Sequence, residues 1–260
     1  MSARRGTPFP LAVLAIVGIA FVATPLAALA VRAPWSRLAA ELSASGAWVA
    51  LRLSVEVSIL AAVLSLVLGM PIAWVLARSR FRGRALVRAL VILPLVLPPV
   101  VGGIGLLAAL GREGIVGRWL FDAGIQLTFT TAGAVAATTF VSIPLVILAT
   151  EAGLRSLDPR FEQAAAAMGA SSWYVLRRVT LPLLRPQLVA GLVLAWARAL
   201  GEFGATITFA GNLAGRTQTL PLAVFEARQT DPGAAILMSL LLVAVSLGVL
   251  VALRDRIFGR

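Results

Sequence analysis

The stretch SLDPRFEQAAAAMGASSWYVLRRVTLPLLRP, Ser156 to Pro186, is a polar and basic interruption between two long apolar runs. Asp158 followed by Pro159 predicts a helix start. An aspartate there accepts from free backbone N–H groups, and proline fits the first turn, where no N–H is needed. Gly169 predicts the stop, because glycine enters the left-handed conformation at little cost. The helix between them is about ten residues, roughly 15 Å long. Leu157, Phe161, Ala164 or Ala165, and Met168 recur at helical spacing and form one apolar stripe. Ser171 predicts the cap of a second helix, expected to end before Leu181-Pro182. The stripe has three readings: a plain connector, a helix-turn-helix DNA reader, or a helix that docks in a groove on a partner. A loop tethered to membrane on both sides has no core of its own and does not readily enter a major groove, which argues against the DNA reader.

The flanking runs establish that setting. Apolar residues make up 60% of the chain and charged residues 13%, with mean hydropathy +0.95. A soluble domain of this length needs more polar surface. A helix of roughly 20 residues crosses a hydrocarbon core. Charge-free runs of that order are Leu11–Val31, Val57–Ala77, Ala89–Gly111, Ala123–Thr150 and Gly233–Leu253, and Gln187–Leu213 is broken only by Arg198 and Glu202. The expected fold is therefore an all-α membrane protein with six transmembrane helices. The first run is too long for a signal-peptide core, and Arg32-Ala-Pro-Trp is a poor cleavage site, so that helix is expected to be retained.

The formal charge of +12 is carried by arginine alone, with no lysine, histidine or cysteine. This excludes a P-loop lysine, a Schiff base, His or Cys metal ligands and a thiol nucleophile. No metal site and no catalytic residue is expected. Arg78, Arg80, Arg82, Arg84 and Arg88 crowd one loop. Arg155, Arg160, Arg177, Arg178 and Arg185 lie in another, and Arg254, Arg256 and Arg260 close the chain. The alternate loops are nearly balanced, Arg112 and Arg118 against Glu113 and Asp122, then Arg216 and Arg228 against Glu226 and Asp231. Arginine-rich loops stay cytoplasmic, so both termini are expected inside, and the basic excess reads as topology and lipid contact, not nucleic-acid binding.

Gln163-Ala164-Ala165, Gly169, Val179 and Leu181-Pro182 stand in the register of the EAA loop of ABC transporter permeases, and the segment resembles it. The departure is Gln163 where that pattern has glutamate; Glu162 stands just before it. The resemblance runs from about Ser54 to Arg254. LPLVLPPVVGGIGLL (Leu93–Leu107), RALGEFGATITFAGN (Arg198–Asn212) and GRTQTLPLA (Gly215–Ala223) resemble the permease subunit of molybdate ABC importers. Sulfate and thiosulfate permeases are the nearest alternative. The resemblance implies a type I importer fold, with Glu162, Gln163, Ala164, Ala165, Met168, Gly169, Val179, Leu181 and Pro182 in the ATPase-coupling loop. It implies two copies of the chain, two cytoplasmic ABC ATPases carrying ATP and Mg, and an external oxyanion-binding protein. It also implies a bacterial or archaeal cytoplasmic membrane. The chain itself is then a permease and not an enzyme, with no cofactor of its own. The expected division is 1–47 for the N-terminus, first helix and outer loop, 48–254 for the permease domain with its coupling loop at 155–182, and 255–260 for a tail.

Within Arg198–Asn212, Arg198 is expected about 18 Å and Glu202 about 24 Å above Pro186. A lone charge at the helix centre costs about 2.5–3.5 kcal/mol, so such residues face the interior and pair, and positions i and i+4 share a face. Two readings stay open: a neutralised pair that locks the helix to its neighbours, or a pair beside the anion path. In the second, Arg198 favours an oxyanion and Glu202 keeps it from becoming a trap. Gly201, Gly204 and Gly211 allow close approach, and Thr206 and Thr208 offer donors. Pro94, Pro98 and Pro99 either kink a pore-lining helix or only shape packing. Gly69 and Pro71 raise the same question in the second run. Glu56, one turn beyond Arg52, predicts an interfacial ion pair. A proton-coupled carrier using Glu202 as a relay is the rival class, although such a carrier has no ATPase to dock. An intramembrane enzyme is more distant, since no acidic pair stands at useful spacing.

Overall fold

Helix is the only regular structure among the described residues, 8–43 and 45–252, of this computed structural model. In hydrocarbon each backbone N–H and C=O must be satisfied inside its own segment, and an apolar helix does that. The order is α1 (Phe9–Arg32), α2 (Leu38–Ser43), α3 (Ser45–Arg78), α4 (Arg84–Val96), α5 (Pro99–Leu110), α6 (Gly117–Asp122) and α7 (Thr131–Ser156). Then follow α8 (Pro159–Ala167), α9 (Ser172–Val175), a π turn (Leu176–Thr180), α10 (Leu181–Leu200), α11 (Gly204–Phe209), α12 (Leu220–Thr230) and α13 (Pro232–Ala252). The terminal residues used above for topology, Arg254, Arg256 and Arg260, lie outside the described residues. So do Leu253 and the tail 255–260.

Among the described residues, five helical segments are long and apolar enough to cross a membrane: α1, α3, α7, Ser172–Leu200 and α13. The expected third span is instead two helices, α4 and α5, bent by 119° at Leu97–Pro98. Pro98 and Pro99 supply no N–H to carry the ladder across, which breaks the helix there. Buried Pro94 stays inside α4. Contacts with α7 decide how the halves run. Arg88 pairs with Glu151, and Val91 packs with the Ile143–Ile147 cluster. Farther along, Gly102 lies against Phe140, and Leu106, Leu107 and Leu110 pack on the cluster around Ala137. Numbers rise along α4–α5 as they fall along α7. Counted as one broken span, the bent pair is the sixth.

The centre of the bundle is α7, packed along α3 and α10. A Cβ on Gly153 would lie 2.6 Å from Leu184, and one on Gly191 would lie 3.3 Å from the Val146 Cα, so the α7–α10 approach depends on hydrogen at both positions. Ser65 and Ser142 hydroxyls meet at 3.3 Å across α3–α7. By contrast, α1 has no buried residue and touches α13. Span edges shift from expectation. The fourth starts at Thr131 rather than Ala123 and extends past Thr150 to Ser156, because Thr130 accepts from Gly133 N at 3.1 Å and caps it. The second runs the whole of Ser45–Arg78, uninterrupted by Gly69 or Pro71. The short helices α2, α6 and α12 were not anticipated, since their apolar faces are too brief to show periodicity.

Candidate functional site

The two arginine-rich loops lie at one end of the bundle, joined by Arg78–Glu162 and by Arg88–Glu151–Arg155. There α8 forms as its local signals demand. Asp158 accepts from Arg160 N at 2.9 Å, and Pro159 opens the first turn. At the other end Gly169 N donates to Ala166 O at 2.9 Å and Ala170 N to Ala165 O at 3.1 Å. This double closure needs a left-handed residue, and Gly169 has φ +85°. Ala165 faces the protein and is buried. Gln163, Ala164 and Gly169 are exposed, Phe161 is 58% exposed and Met168 83%. The stripe thus splits: one alanine packs inward, and a phenylalanine and a methionine stand in the open. Trp173 and Tyr174 on α9 are exposed beside them. Together the four form an exposed apolar and aromatic patch.

Leu181-Pro182 does not end the second helix of the loop, contrary to expectation. Ser171 caps α9, accepting from Tyr174 N at 3.3 Å, and Ser172–Leu200 runs on as one helical segment. The physical reason is the π turn. Leu181 N donates to Leu176 O, five residues back, so the ladder has already changed register where Pro182 removes an N–H. Val179 and Leu181 are half-buried on this turn, and Pro182 is exposed.

At the far end of α10, Arg198 Nη1 lies 2.5 Å from Glu202 Oε2, so the predicted pair forms. It is not on one continuous helix, however. Leu200 ends α10, and Gly201–Phe203 separates it from α11. Glu202 is fully buried and Arg198 about a third exposed. The other carboxylate oxygen of Glu202 accepts from Ala205 N at 2.8 Å. A charged oxygen at the start of α11 satisfies a donor that lipid or apolar packing cannot. Packing against α5 is close here. A Cβ on Gly204 would lie 2.9 Å from Pro99 Cβ, and one on Gly103 would lie 2.6 Å from Thr208 Cβ. Thr208 donates to its own helix at Gly204 O, 2.8 Å away, and the buried Thr206 hydroxyl has no protein partner among the described residues. Pro99, Gly204, Thr208 and the Arg198–Glu202 turn therefore meet, with Pro98 exposed at the break and Pro94 one turn before it.

Sequence reading missed Glu151. It is buried on α7 between Arg88 and Arg155, with Arg155 Nη2 at 2.8 Å. Its signal was the acidic residue four before Arg155. The interfacial Arg52–Glu56 pair forms as expected, at 2.6 Å. At the opposite end of the bundle Arg37 binds Asp231 and Glu41, and Asp231 also accepts from Ala234 N and Gly233 N. The Arg37 hydrogen bond, then the Ala234 N–H, hold the Asp231 carboxyl at about 2.

Residues 65–259 match the family described as binding-protein-dependent transport system inner membrane component. The chain belongs to that family. It is 51% identical over 232 residues to the molybdenum transport system permease protein ModB of Mycobacterium tuberculosis, covering 89% of this chain and 88% of the relative. It is 40% identical over 150 residues to the sulfate transport system permease protein CysW of a Synechocystis strain, covering 56% and 54%. The crystal structure of a bacterial ABC transporter involved in the import of the acidic polysaccharide alginate superposes with TM-score 0.74 at 16% identity, over 95% of this chain and 92% of that one. That last likeness establishes a shared helical fold.

Proposed function

We propose that this permease is the pore subunit of an ATP-driven importer for molybdate, with tungstate carried by the same tetrahedral chemistry. The observation that carries the reading is 51% identity, sustained over nine-tenths of the chain, to a molybdenum transport permease. Likeness to the sulfate permease is lower and covers little more than half. In this reading two copies form the pore in the cytoplasmic membrane with termini inside, and an external binding protein delivers the anion. ATP and Mg are handled by a separate ATPase that seats on α8. Phe161 and Met168 support that last part, since they stand exposed on a capped, sharply ended helix. Residues 48–254 are the permease domain, with 155–182 its coupling loop.

The path is proposed to pass the α5–α11 contact. Glu202 has both oxygens occupied, which leaves Arg198 the partly open member of the pair to meet an oxyanion. Uptake assays in cells lacking other oxyanion transporters test the substrate. Molybdate uptake should persist against equimolar sulfate. Competition by sulfate at equal concentration would place this chain with the sulfate permeases instead.

A further inference from the structure

Glu162 sits beside the exposed face of α8, yet its carboxylate is engaged inside the chain. Oε1 accepts from Arg78 Nη2 at 2.8 Å and from Thr180 Oγ1 at 2.7 Å. Arg78 is the last residue of α3, and Thr180 is the last of the π turn that leads into α10. The Arg78 guanidinium also lies 5.6 Å from the centre of the Trp74 ring. Trp74, Glu162 and Thr180 line a cavity of about 320 Å³ between α8 and the bundle. The end of α3, α8 and the π turn thus meet at one oxygen. Ala165 is the buried residue of α8, so little else fastens this helix to the bundle along its length.

We propose that Glu162 is a positioning residue that ties α8 to α3 and α10, so that displacement of α8 moves both spans as one body. This rests on the docking reading above and deepens it. The physical need lies in the π turn, whose i→i−5 bonds are a weak point in an otherwise α-helical segment. Unbraced, that turn and the short loop at Gly169 would absorb a push on α8. Charge-assisted bonds from Glu162 to the residue before α10 and to the end of α3 brace it on both sides. Labour on α8 is then divided: Phe161 and Met168 meet the partner, and Glu162 carries the motion inward.

The test uses the full transporter, purified with its ATPase and reconstituted in vesicles. Glu162→Ala should retain the ATPase in undiminished amount and keep hydrolysing ATP. Anion moved per ATP should fall about tenfold, a loss of coupling between sites. The swap of Arg78→Glu with Glu162→Arg should recover the ratio. An unchanged ratio in Glu162→Ala overturns the proposal, as does loss of the ATPase, which would make Glu162 a docking contact. A second measurement replaces the tie with a covalent one. The chain has no cysteine, so Arg78→Cys with Glu162→Cys offers one defined thiol pair. Unbridged, this pair lacks the tie and should move little anion per ATP; bridging the two thiols with a short bifunctional thiosulfonate should restore the ratio if α8 and α3 move together, and a bridge that restores nothing overturns the proposal. The docking reading fails separately. Phe161→Asp with Met168→Asp must shed the ATPase, and retention there sinks docking whatever Glu162 does.

Discussion

The loop around α8 and the break between α10 and α11 each place a glutamate beside a helix start, and they use it in opposite ways. In the loop, Asp158 already caps α8, so Glu162 is free to reach across to Arg78 and Thr180. At the break, Phe203 stands where a capping side chain belongs, so Glu202 turns back onto Ala205 N and must itself be neutralised by Arg198. A helix start near water can be made from local signals. A buried one needs a charge, and the charge needs a counter-charge.

The largest expected effect comes from the exposed side of the comparison. Phe161→Asp with Met168→Asp places two charges on the open face of α8 without touching its caps. If that face is a partner's seat, losing two central contacts at about 2 kcal/mol each reduces association roughly 1000-fold. Co-purification of the ATPase and uptake should both disappear, with membrane insertion unchanged. Full uptake would reduce α8 to a connector.

The buried side should respond almost as strongly but through assembly. Glu202→Ala strands Arg198 and uncaps α11, a cost of about 3–5 kcal/mol for a broken buried pair. Arg198→Ala should cost about as much, because it leaves the fully buried Glu202 without its counter-charge. The double variant should recover part of the Glu202→Ala loss in folded protein, measured by size-exclusion yield, and still transport poorly if Arg198 meets the anion. Near-normal transport in the assembled double variant would leave the pair a purely structural lock. Strictly additive losses would break the coupling between the two residues.

Gly169 sharpens the contrast between local and long-range control. Gly169→Ala forces a Cβ into left-handed backbone at about 1–2 kcal/mol, although nothing crowds the position. Uptake should fall severalfold, while Gly169→Asp, which adds charge at the docking bend, should abolish it. Equal effects would assign the whole cost to the backbone.

The smallest effect is expected at the Arg37–Asp231 clasp, which is exposed and screened. Because the folded carboxyl of Asp231 lies at about 2, below its ordinary 3.8, its contribution is full above pH 3.8 and is lost as pH falls toward 2. Thermal unfolding of wild type and Asp231→Asn in detergent should differ slightly at pH 5 and converge near pH 2. A gap that widens toward pH 2 would reverse the sign.

Sequence alone determined the elements whose causes are local. Asp158-Pro159, Gly169 and Ser171 place the caps of the loop, because a cap depends on residues within one turn. The apolar runs place the spans, because hydrocarbon leaves a chain little choice but helix. The Arg198–Glu202 pair was legible for the same reason, since four residues bring two side chains together. Tertiary structure alone decided the rest. The 119° bend followed from prolines visible in sequence, but its direction comes from α5 packing against Phe140 and Ala137. Passage of the helix through Pro182 depends on the π turn, a change of register that residue type does not encode. Glu151 finds Arg88, and Glu162 finds Arg78 and Thr180, across 63, 84 and 18 residues of chain. Which cation or hydroxyl meets a buried oxygen is set by how the helices pack, and spacing within one helix carries no record of it.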